Sequence, residues 1–106
     1  MIARTWHGVV PVTKAAAYHE FLRGIAVKDY RSTPGNRGVY VLRRDEGALS
    51  HFLLVSLWDS IESIRSFAGP EPDKACYYPE DASFLVEMEP HATHYEVLLK
   101  EGETLG

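Results

Sequence analysis

The segment that most constrains the fold runs from His51 to Ala68 and reads HFLLVSLWDSIESIRSFA. Its first part, Phe52 to Val55, is a continuous apolar run of the kind found in strands that are covered on both faces. A strand of this type needs a layer of structure against each side of its sheet. The rest of the chain, or a partner, must therefore supply two covers.

A helix is predicted directly after this strand, beyond Trp58. Asp59 is the expected N-cap, and Glu62 three residues later completes the capping-box pattern. Gly69 and Pro70 end the helix. The apolar residues in between recur at about three-residue spacing, which turns one helix face towards the strand: Ile61, Ile64 and Phe67. This helix supplies one of the two covers.

The N-terminal third of the chain predicts a strand and then another helix. Ile2 to Val10 is rich in β-branched and aromatic residues, and Pro11 closes it. Thr13 is the expected N-cap of a helix that runs to about Lys28. The apolar face of this helix is predicted from residues at i, i+3, i+4 and i+7, namely Tyr18, Phe21, Leu22 and Ile25.

The remaining strands complete the order strand, helix, strand, strand, helix, strand. Val39 to Arg44 is joined by a hairpin turn at Asp45-Glu46-Gly47 to a strand from Ser50 to Trp58, and His91 to Leu99 is the last strand. This order is the split βαβ arrangement. We therefore expect an α+β, ferredoxin-like βαββαβ fold, with an antiparallel sheet that carries its helices on one face.

The second face of the predicted sheet needs a different cover, because two helices cover only one face of four strands. Trp6, Tyr40 and Leu42, together with the run from Phe52 to Leu57, carry too much apolar surface for a face in contact with water. We expect a second copy of the chain to cover it, giving a homodimer through the sheet faces. A monomer with exposed aromatic residues is the alternative.

Composition limits the partners and the compartment. At 106 residues the chain is expected to form one domain over residues 1–99, with a frayed tail at 100–106. The formal net charge of −4 predicts neither a nucleic-acid nor a membrane partner. No apolar run approaches the ~20 residues that span a bilayer, and the opening MIARTWHGVV does not resemble a signal peptide. With a single cysteine, the expected location is the reducing cytoplasm.

No metal or cofactor site is predicted. His91 and His94 are three residues apart on a predicted strand, so their side chains point to opposite faces. The chain has no G-x-S-x-G turn and no glycine-rich phosphate loop. Cys76 is expected to be a partly buried residue rather than an activated thiolate. The other histidines lie on separate elements with no cysteine or carboxylate at ligand spacing: His7, His19 and His51.

A small-molecule pocket is predicted in the gap between the sheet and its helices, where such pockets are common. His7 is the candidate for proton transfer, because an imidazole titrates near neutral pH; a hydrogen bond within the core is the alternative. Tyr18 and Trp58 are expected to serve packing. Aromatic residues that fit either a pocket wall or ordinary packing are Trp6, Phe67 and Tyr77.

Four segments together resemble the antibiotic biosynthesis monooxygenase (ABM) domain family. They are the first strand MIARTW, the loop-to-strand segment TPGNRGVYVL, the strand-to-helix junction LLVSLWDSIESIRSFA and the final strand HATHYEV. The resemblance extends over residues 1–99. It implies a ferredoxin-like fold that dimerises through its sheets into a β-barrel.

The same resemblance bears on activity, because the family includes heme-degrading enzymes and cofactor-independent oxygenases that act on polycyclic phenols. The heme-degrading branch has an Asn on the first strand, a Trp on the second helix and a His beyond that helix. This chain has Trp6 or His7, then Phe67, then Tyr77 at those positions. Heme degradation is therefore not expected, and the resemblance implies no cofactor.

Oxygenation of a phenolic or other aromatic small molecule is the function that the resemblance then implies. A deprotonated, electron-rich phenol reacts with oxygen directly, so the protein mainly orients it and stabilises its anion. In this role His7 is the expected base, and Arg31 or Arg37 stabilises the anion. A non-catalytic dimer that binds a small molecule or acts in stress response is the alternative. The expected substrate-binding walls are Trp6, Phe67, Tyr77 and Tyr78.

Overall fold

A four-stranded antiparallel sheet forms the base of the protein. In the computed structural model, which describes residues 1–102, the strands are β1 (Ile2–Pro11), β2 (Asn36–Glu46), β3 (Leu49–Trp58) and β4 (Thr93–Glu96). Their order across the sheet is β2-β3-β1-β4, and each neighbouring pair is antiparallel. The predicted α+β, ferredoxin-like arrangement is confirmed. Residues 103–106 of the predicted tail lie outside the described part of the chain.

The helices pack on one side of this sheet. After a 3₁₀ turn at Val12–Lys14, the first helical stretch consists of α1 (Ala15–Phe21), a π-helical turn (Leu22–Ala26) and α2 (Val27–Ser32). The second helix is α3 (Ile61–Ala68), and the long connection from it to β4 contains a 3₁₀ turn at Pro79–Ser83. Across residues 1–102 we find no helix with the length and apolar character that crossing a membrane requires.

β2 and β3 form a hairpin closed by Gly47 and Ala48, so that Glu46 pairs with Leu49. Gly47 has a φ of +59°, in the left-handed region that glycine adopts without strain. From this turn the register runs back to Asn36 opposite Trp58, with one irregularity near Gly38. Because the two strands are locked in this register, their core-facing side chains form a common surface beneath the helices.

Burial alternates along β1 and β3, because successive side chains of a strand point to opposite faces. The side that faces the helices holds, from β1, Arg4, Trp6, Gly8 and Val10, and from β3, Ser50, Phe52, Leu54, Ser56 and Trp58. The helices complete the core with Ala15, Tyr18, Leu22, Ala26, Tyr30 and Ile64. Tyr18 and Trp58 are fully buried there, which agrees with a packing role.

The π-helical turn changes which residues of the first helical stretch reach the core. The buried side chains follow four-residue steps: Tyr18, Leu22, Ala26 and Tyr30. A π turn holds more residues than an α turn, so the core face advances by one position within it. Ala26 is therefore buried while Ile25 is 43% exposed. The predicted face was wrong at Ile25, and the helical stretch continues to Ser32 rather than ending at Lys28.

α3 begins at a different cap from the one that its sequence predicts. Ser60 is the N-cap, and its hydroxyl oxygen accepts a hydrogen bond of 3.2 Å from the Ser63 amide. A serine hydroxyl serves this role as well as a carboxylate does. Asp59 instead accepts a hydrogen bond from Arg37 Nε at 2.6 Å. The predicted end of the helix at Gly69 is confirmed.

The face of the sheet opposite the helices is open in the single chain. Arg44 pairs with His51 and Leu42 with Leu53, so the centre of this face mixes apolar and titratable side chains. Leu42 is 46% exposed. Apolar or aromatic residues on this face that remain half-buried or exposed include Val9, Tyr40, Leu42, Leu53, Val55, Leu57 and Tyr95.

Candidate functional site

Trp6 and His7, the two candidates on the first strand, lie on opposite faces of the sheet. Trp6 is 5% exposed and belongs to the core on the helix side, so its predicted place on the opposite face of the sheet was wrong. His7 lies on the open face, where its ring stacks on that of His51. The two side chains therefore cannot serve one pocket. His7 is not placed to act as a base beside Trp6, contrary to the predicted grouping.

A narrow cavity lies between the helix side of the sheet and the helices. Its volume is about 10 Å³, at the lower limit for one water molecule. Three of the predicted wall residues, Trp6, Phe67 and Tyr78, line it. The other lining residues come from the helices, from β3 and from the connection after α3: Tyr18, Leu22, Ala26, Tyr30, Leu54, Cys76 and Asp81.

Aromatic packing fills most of the space around this cavity. Phe67 stacks on Tyr30 with ring centroids 4.3 Å apart and an interplanar angle of 26°. Trp6 meets the edge of Tyr77, the fourth predicted wall residue, at 6.0 Å between centroids. Stacked and edge-on pairs of this kind attract one another. The protein's own side chains therefore leave room for little more than one water molecule, and a larger ligand must displace some of them.

Asp81 anchors the connection after α3 against the first helical stretch. Its carboxylate is 2% exposed and accepts two hydrogen bonds, one from the Tyr18 hydroxyl at 2.8 Å and one from the Tyr78 amide at 2.7 Å. Burial, followed by the charge of Asp81, raises the pKa of Tyr18 far above its ordinary value. Tyr18 is therefore a fixed donor to Asp81, and both oxygens of this carboxylate are engaged.

The hydroxyls of Tyr77 and Tyr78 are also held by neighbouring groups. Tyr78 donates to Asp29 Oδ2 at 2.5 Å, and Tyr77 donates to the carbonyl oxygen of Glu89. Burial raises the pKa of both phenols, and for Tyr78 the Asp29 carboxylate adds to the effect. Burial likewise raises the pKa of the Cys76 thiol. These groups are neutral donors near pH 7, and they fasten the connection to the rest of the fold.

Arg4 is fully buried beside the cavity, and its charge has no carboxylate partner among residues 1–102. Its Nη2 donates to the carbonyl oxygen of Lys74 at 3.1 Å. Its guanidinium carbon lies 5.6 Å from the centroid of the Phe67 ring. Nε and Nη1 have no hydrogen-bond partner of normal geometry, although the Tyr30 hydroxyl interacts with the guanidinium. A buried cation with unpaired donors is a costly arrangement.

The two arginines predicted to stabilise an anion lie elsewhere. Arg31 Nη1 donates to the side-chain and main-chain oxygens of Asn36, at 2.9 and 3.2 Å, on the surface. Arg37 forms an exposed ion pair with Asp59. Neither lines the cavity. Both arginines instead stabilise the junction between α2, β2 and α3.

A second polar cluster occupies the open face of the sheet. His7 Nδ1 hydrogen-bonds to Glu89 Oε2, and His7 Nε2 lies 3.0 Å from His51 Nδ1. A groove of about 320 Å³ runs past both histidines. The groove is also lined by Leu42, Arg43, Arg44 and Leu53. This cluster uses residues from β1, β3 and the connection before β4, and it is separated from the aromatic cavity by the sheet itself.

The sequence offered a signal for Arg4 that the prediction did not use. Period-two alternation places Arg4 on the same face of the strand as Trp6, a residue of the predicted pocket wall. A charged residue in such a position requires a special partner or function. Asp81 carried no comparable signal, because its role depends on contacts with Tyr18 far away in the chain.

Solved structures with the same fold cover almost the whole chain. A proposed antibiotic biosynthesis monooxygenase from Nitrosomonas europaea has a TM-score of 0.68 and 18% identity, covering 93% of this chain and 100% of its own. The heme degrader MhuD from Mycobacterium tuberculosis, solved with two hemes in its active site, has a TM-score of 0.65 and 18% identity, covering 96% of this chain and 100% of its own.

A third structure of the same kind is a proposed antibiotic biosynthesis monooxygenase from Bacillus cereus, with a TM-score of 0.66 and 13% identity, covering 96% of this chain and 97% of its own. No family model and no curated protein sequence matches the chain. At these identities the likeness establishes the fold alone. The protein has the fold of the ABM-type proteins, as its sequence predicted.

Proposed function

We propose that this protein binds an aromatic small molecule between its sheet and its helices and oxidises it with molecular oxygen, without a metal or flavin. The aromatic lining of the cavity carries this proposal: Trp6, Phe67 and Tyr78 reach it from three separate segments of the chain. Two of the structures that share the fold are described as antibiotic biosynthesis monooxygenases, which supports the same class of activity.

The proposed reaction requires only the substrate and oxygen. A phenolic ring with an activated CH₂ group loses a proton, and the resulting anion transfers electrons to O₂. The CH₂ carbon becomes a carbonyl by gaining one oxygen atom, and the second oxygen atom leaves as water. The electrons lost by the carbon balance those gained by O₂. The protein's contribution is to orient the ring and to stabilise its anion.

The cavity wall supports positioning better than proton abstraction. The Asp81 carboxylate accepts hydrogen bonds at both oxygens, and burial keeps the Cys76 thiol neutral. His7 lies across the sheet. We therefore propose that the substrate is a phenol acidic enough to ionise in solution, and that it enters as the anion.

Ligand entry in this proposal displaces the connection after α3. This segment contributes Cys76, Tyr78 and Asp81 to the cavity, and its regular structure is limited to one 3₁₀ turn and two isolated β-bridges. The Tyr78–Asp29 and Asp81–Tyr18 hydrogen bonds fasten it. Because such segments open more easily than packed helices and strands, the cavity enlarges on this side while the sheet stays in place.

A second candidate function is a non-catalytic dimer that binds a small molecule. It is favoured by the aromatic side chains that fill the cavity, namely Phe67, Tyr30 and Trp6. In addition, the hydroxyls of Tyr77 and Tyr78 are both engaged in hydrogen bonds within the protein. Under this proposal the aromatic groups serve binding and packing only. The two functions differ in whether oxygen is consumed when a phenol is bound.

We further propose that two copies of the chain associate through their open sheet faces. The side chains that support this assembly form an apolar band along β2 and β3 that the chain's own helices do not cover, with Leu42, Leu53 and Val55 at its centre. The resemblance to the ABM family implies the same assembly. Light scattering on a sizing column is expected to give twice the chain mass, and Leu53→Glu is expected to give the monomer. A monomeric wild-type protein would overturn this proposal.

Oxygen uptake tests the proposed reaction. Anthrones, which carry the activated CH₂ group, are added to the protein, with naphthols, which lack this group, as ligands that cannot undergo the reaction; oxygen consumption is followed with an electrode. Phe67→Ala removes the largest wall residue contributed by α3, and at least a tenfold fall in any turnover is expected. Ile25→Ala, on the exposed side of the first helical stretch, is the matched control and is expected to leave turnover unchanged.

The outcome separates the two candidate functions. Binding of an anthrone without oxygen uptake would support the non-catalytic dimer and contradict the oxygenase. Uptake that is equal in wild type and Phe67→Ala would place the reaction elsewhere on the protein.

A further inference from the structure

The buried guanidinium of Arg4 has donor atoms that nothing in residues 1–102 satisfies. Arg4 has no solvent exposure, and its Nε and Nη1 have no hydrogen-bond partner of normal geometry. Its contacts are a carbonyl oxygen at Nη2, the face of Phe67 and an interaction with the Tyr30 hydroxyl. None of these neutral groups supplies a negative charge. A buried cation in this state destabilises the fold unless an anion accompanies it.

A second unpaired polar atom lies next to Arg4. His94 is directly opposite Arg4 in the β1–β4 pairing, so both side chains project from the same face of the sheet. His94 Nε2 is buried and also has no hydrogen-bond partner. Burial, followed by the charge of Arg4, lowers the pKa of His94, while the Asp73 carboxylate acts in the opposite direction. Two groups that would both donate to a negative oxygen are thus held side by side.

Arg4 does not itself line the aromatic cavity but lies directly behind its wall. Phe67, Tyr30 and Cys76 line the cavity, and all three contact or interact with Arg4. An aromatic ring placed among these residues would have Arg4 at one edge. The segment that supplies the Lys74 carbonyl to Nη2 is the same connection whose displacement opens the cavity. Opening it would expose the guanidinium and the cavity together.

We propose that Arg4, assisted by His94, is an oxyanion-binding site that holds the negatively charged oxygen of an aromatic ligand lying in the cavity. This inference rests on the proposed function and specifies its substrate class: an aromatic ring bearing a phenolate or a carboxylate. Arg4 takes the anion-stabilising role that the sequence analysis predicted for Arg31 or Arg37. The ligand removes the uncompensated charge, so it stabilises the folded chain as well as occupying the cavity.

Charge selectivity is the direct consequence. A neutral ring of the same shape fills the same aromatic walls but leaves Arg4 Nε and Nη1 unpaired. An anionic ring pairs with them in a site shielded from water, where a charge-assisted hydrogen bond is strong. The anion should therefore bind more tightly than its neutral isostere by at least an order of magnitude.

The test compares matched ligands by calorimetry. 1-Naphthoate and neutral 1-naphthamide share a ring system and differ in charge. The affinity for 1-naphthol is measured below and above the pH at which it ionises, which shows whether a phenolate is recognised as well as a carboxylate. We expect 1-naphthoate, or 1-naphthol in its ionised form, to bind at least tenfold more tightly than 1-naphthamide. Arg4→Met keeps an unbranched apolar stem in place of the arginine methylenes but removes the guanidinium, and we expect it to abolish this preference. Arg23→Met, an exposed arginine paired with Glu20, is the matched control.

Two further readouts keep the proposal falsifiable if affinities are weak. Arg4→Met is expected to melt at the same or a higher temperature than wild type without ligand, because it removes an uncompensated buried charge. Bound 1-naphthoate is expected to raise the pKa of His94, followed by NMR titration, because a nearby negative charge favours the imidazolium. If Arg4→Met does not fold, Arg4→Lys is expected to retain anion preference with reduced affinity.

Several results would overturn the inference. They are equal binding of 1-naphthoate and 1-naphthamide, an anion preference that persists in Arg4→Met, or ordered water on Nε and Nη1 that remains when the aromatic ligand is bound. These results are distinguishable from failure of the proposed oxidation. If anion preference depends on Arg4 but no oxygen is consumed, the oxygenase is contradicted and the oxyanion site is supported. If oxygen uptake is unchanged in Arg4→Met, the oxyanion site is contradicted and the oxygenase is supported.

Discussion

Trp6 and His7 are adjacent in sequence and separated by the full thickness of the sheet. Trp6 pairs with Leu54 of β3 and faces the helices, whereas His7 pairs with Leu53 and faces the open side. Two chemically distinct regions result: an aromatic cavity with a buried arginine on one side, and a histidine pair with a carboxylate on the other. The proposed oxidation and the proposed anion site both belong to the first of these regions.

Replacing His7 tests the separation directly. His7→Ala is expected to leave the affinity for an aromatic anion unchanged, since the side chain lies across the sheet from the cavity. Its effect should appear on the open face, where His51 Nδ1 loses its partner. Calorimetry with 1-naphthoate provides the measurement. A tenfold loss of affinity in His7→Ala would show that the ligand binds on the open face instead.

The hydrogen bond between Tyr18 and Asp81 is expected to contribute to stability. Tyr18→Phe removes the donor and leaves a buried carboxylate oxygen unsatisfied, which costs about 1–3 kcal/mol. Urea unfolding measures the change. Ser66→Ala, which removes an exposed hydroxyl from α3 on the helix side of the sheet, is the control, and a change within about 0.5 kcal/mol is expected. Equal effects of the two variants would contradict the assigned role of Asp81.

The π-helical turn predicts a contrast between Leu22 and Ile25. Leu22 is 2% exposed, so Leu22→Ala should destabilise the fold by about 2–5 kcal/mol through a core cavity. Ile25 points outwards after the turn, so Ile25→Ala should cost less than about 1 kcal/mol. Chemical denaturation of both variants decides the matter. A large loss in Ile25→Ala would mean that the helix keeps the regular α phase predicted from sequence.

Local pattern was enough to predict the element order, and the details that it missed depend on tertiary contacts. The apolar run in β3 and the helix after it were evident from Phe52 to Phe67. The last strand is shorter than predicted, Thr93–Glu96 rather than His91 to Leu99, because only these residues pair with β1. The phase change at Leu22–Ala26 leaves no mark that periodicity alone would reveal.

The candidate site was less predictable for a related reason. Aromatic residues are informative about pocket walls, and Trp6, Phe67 and Tyr78 do lie together. Period-two alternation defines two faces of β1 but does not say which face the helices cover. The predicted pocket therefore combined His7 with Trp6 and did not include Arg4, although Arg4 lies on the same face of the strand as Trp6.

Stability should depend on pH through His94. Burial, followed by the charge of Arg4, lowers the pKa of His94 below the ordinary value of about 6.5. The unfolded chain therefore takes up a proton at this residue before the folded chain does, and stability is lost as pH falls from about 6.5 through the lowered pKa. His94→Gln should flatten this part of the profile of unfolding free energy against pH. An unchanged slope would show that other groups are responsible.

The most direct test of the account is the location of a bound aromatic anion. The ¹⁵N–¹H spectrum of the protein resolves the indole signals of its two tryptophans, and intermolecular NOEs to 1-naphthoate report which side chains contact the ring. Binding in the aromatic cavity predicts NOEs to Trp6 and Phe67, with a large shift of the Trp6 indole signal. NOEs confined to Leu42 and Leu53 beside His7, on the open face of the sheet, would contradict it.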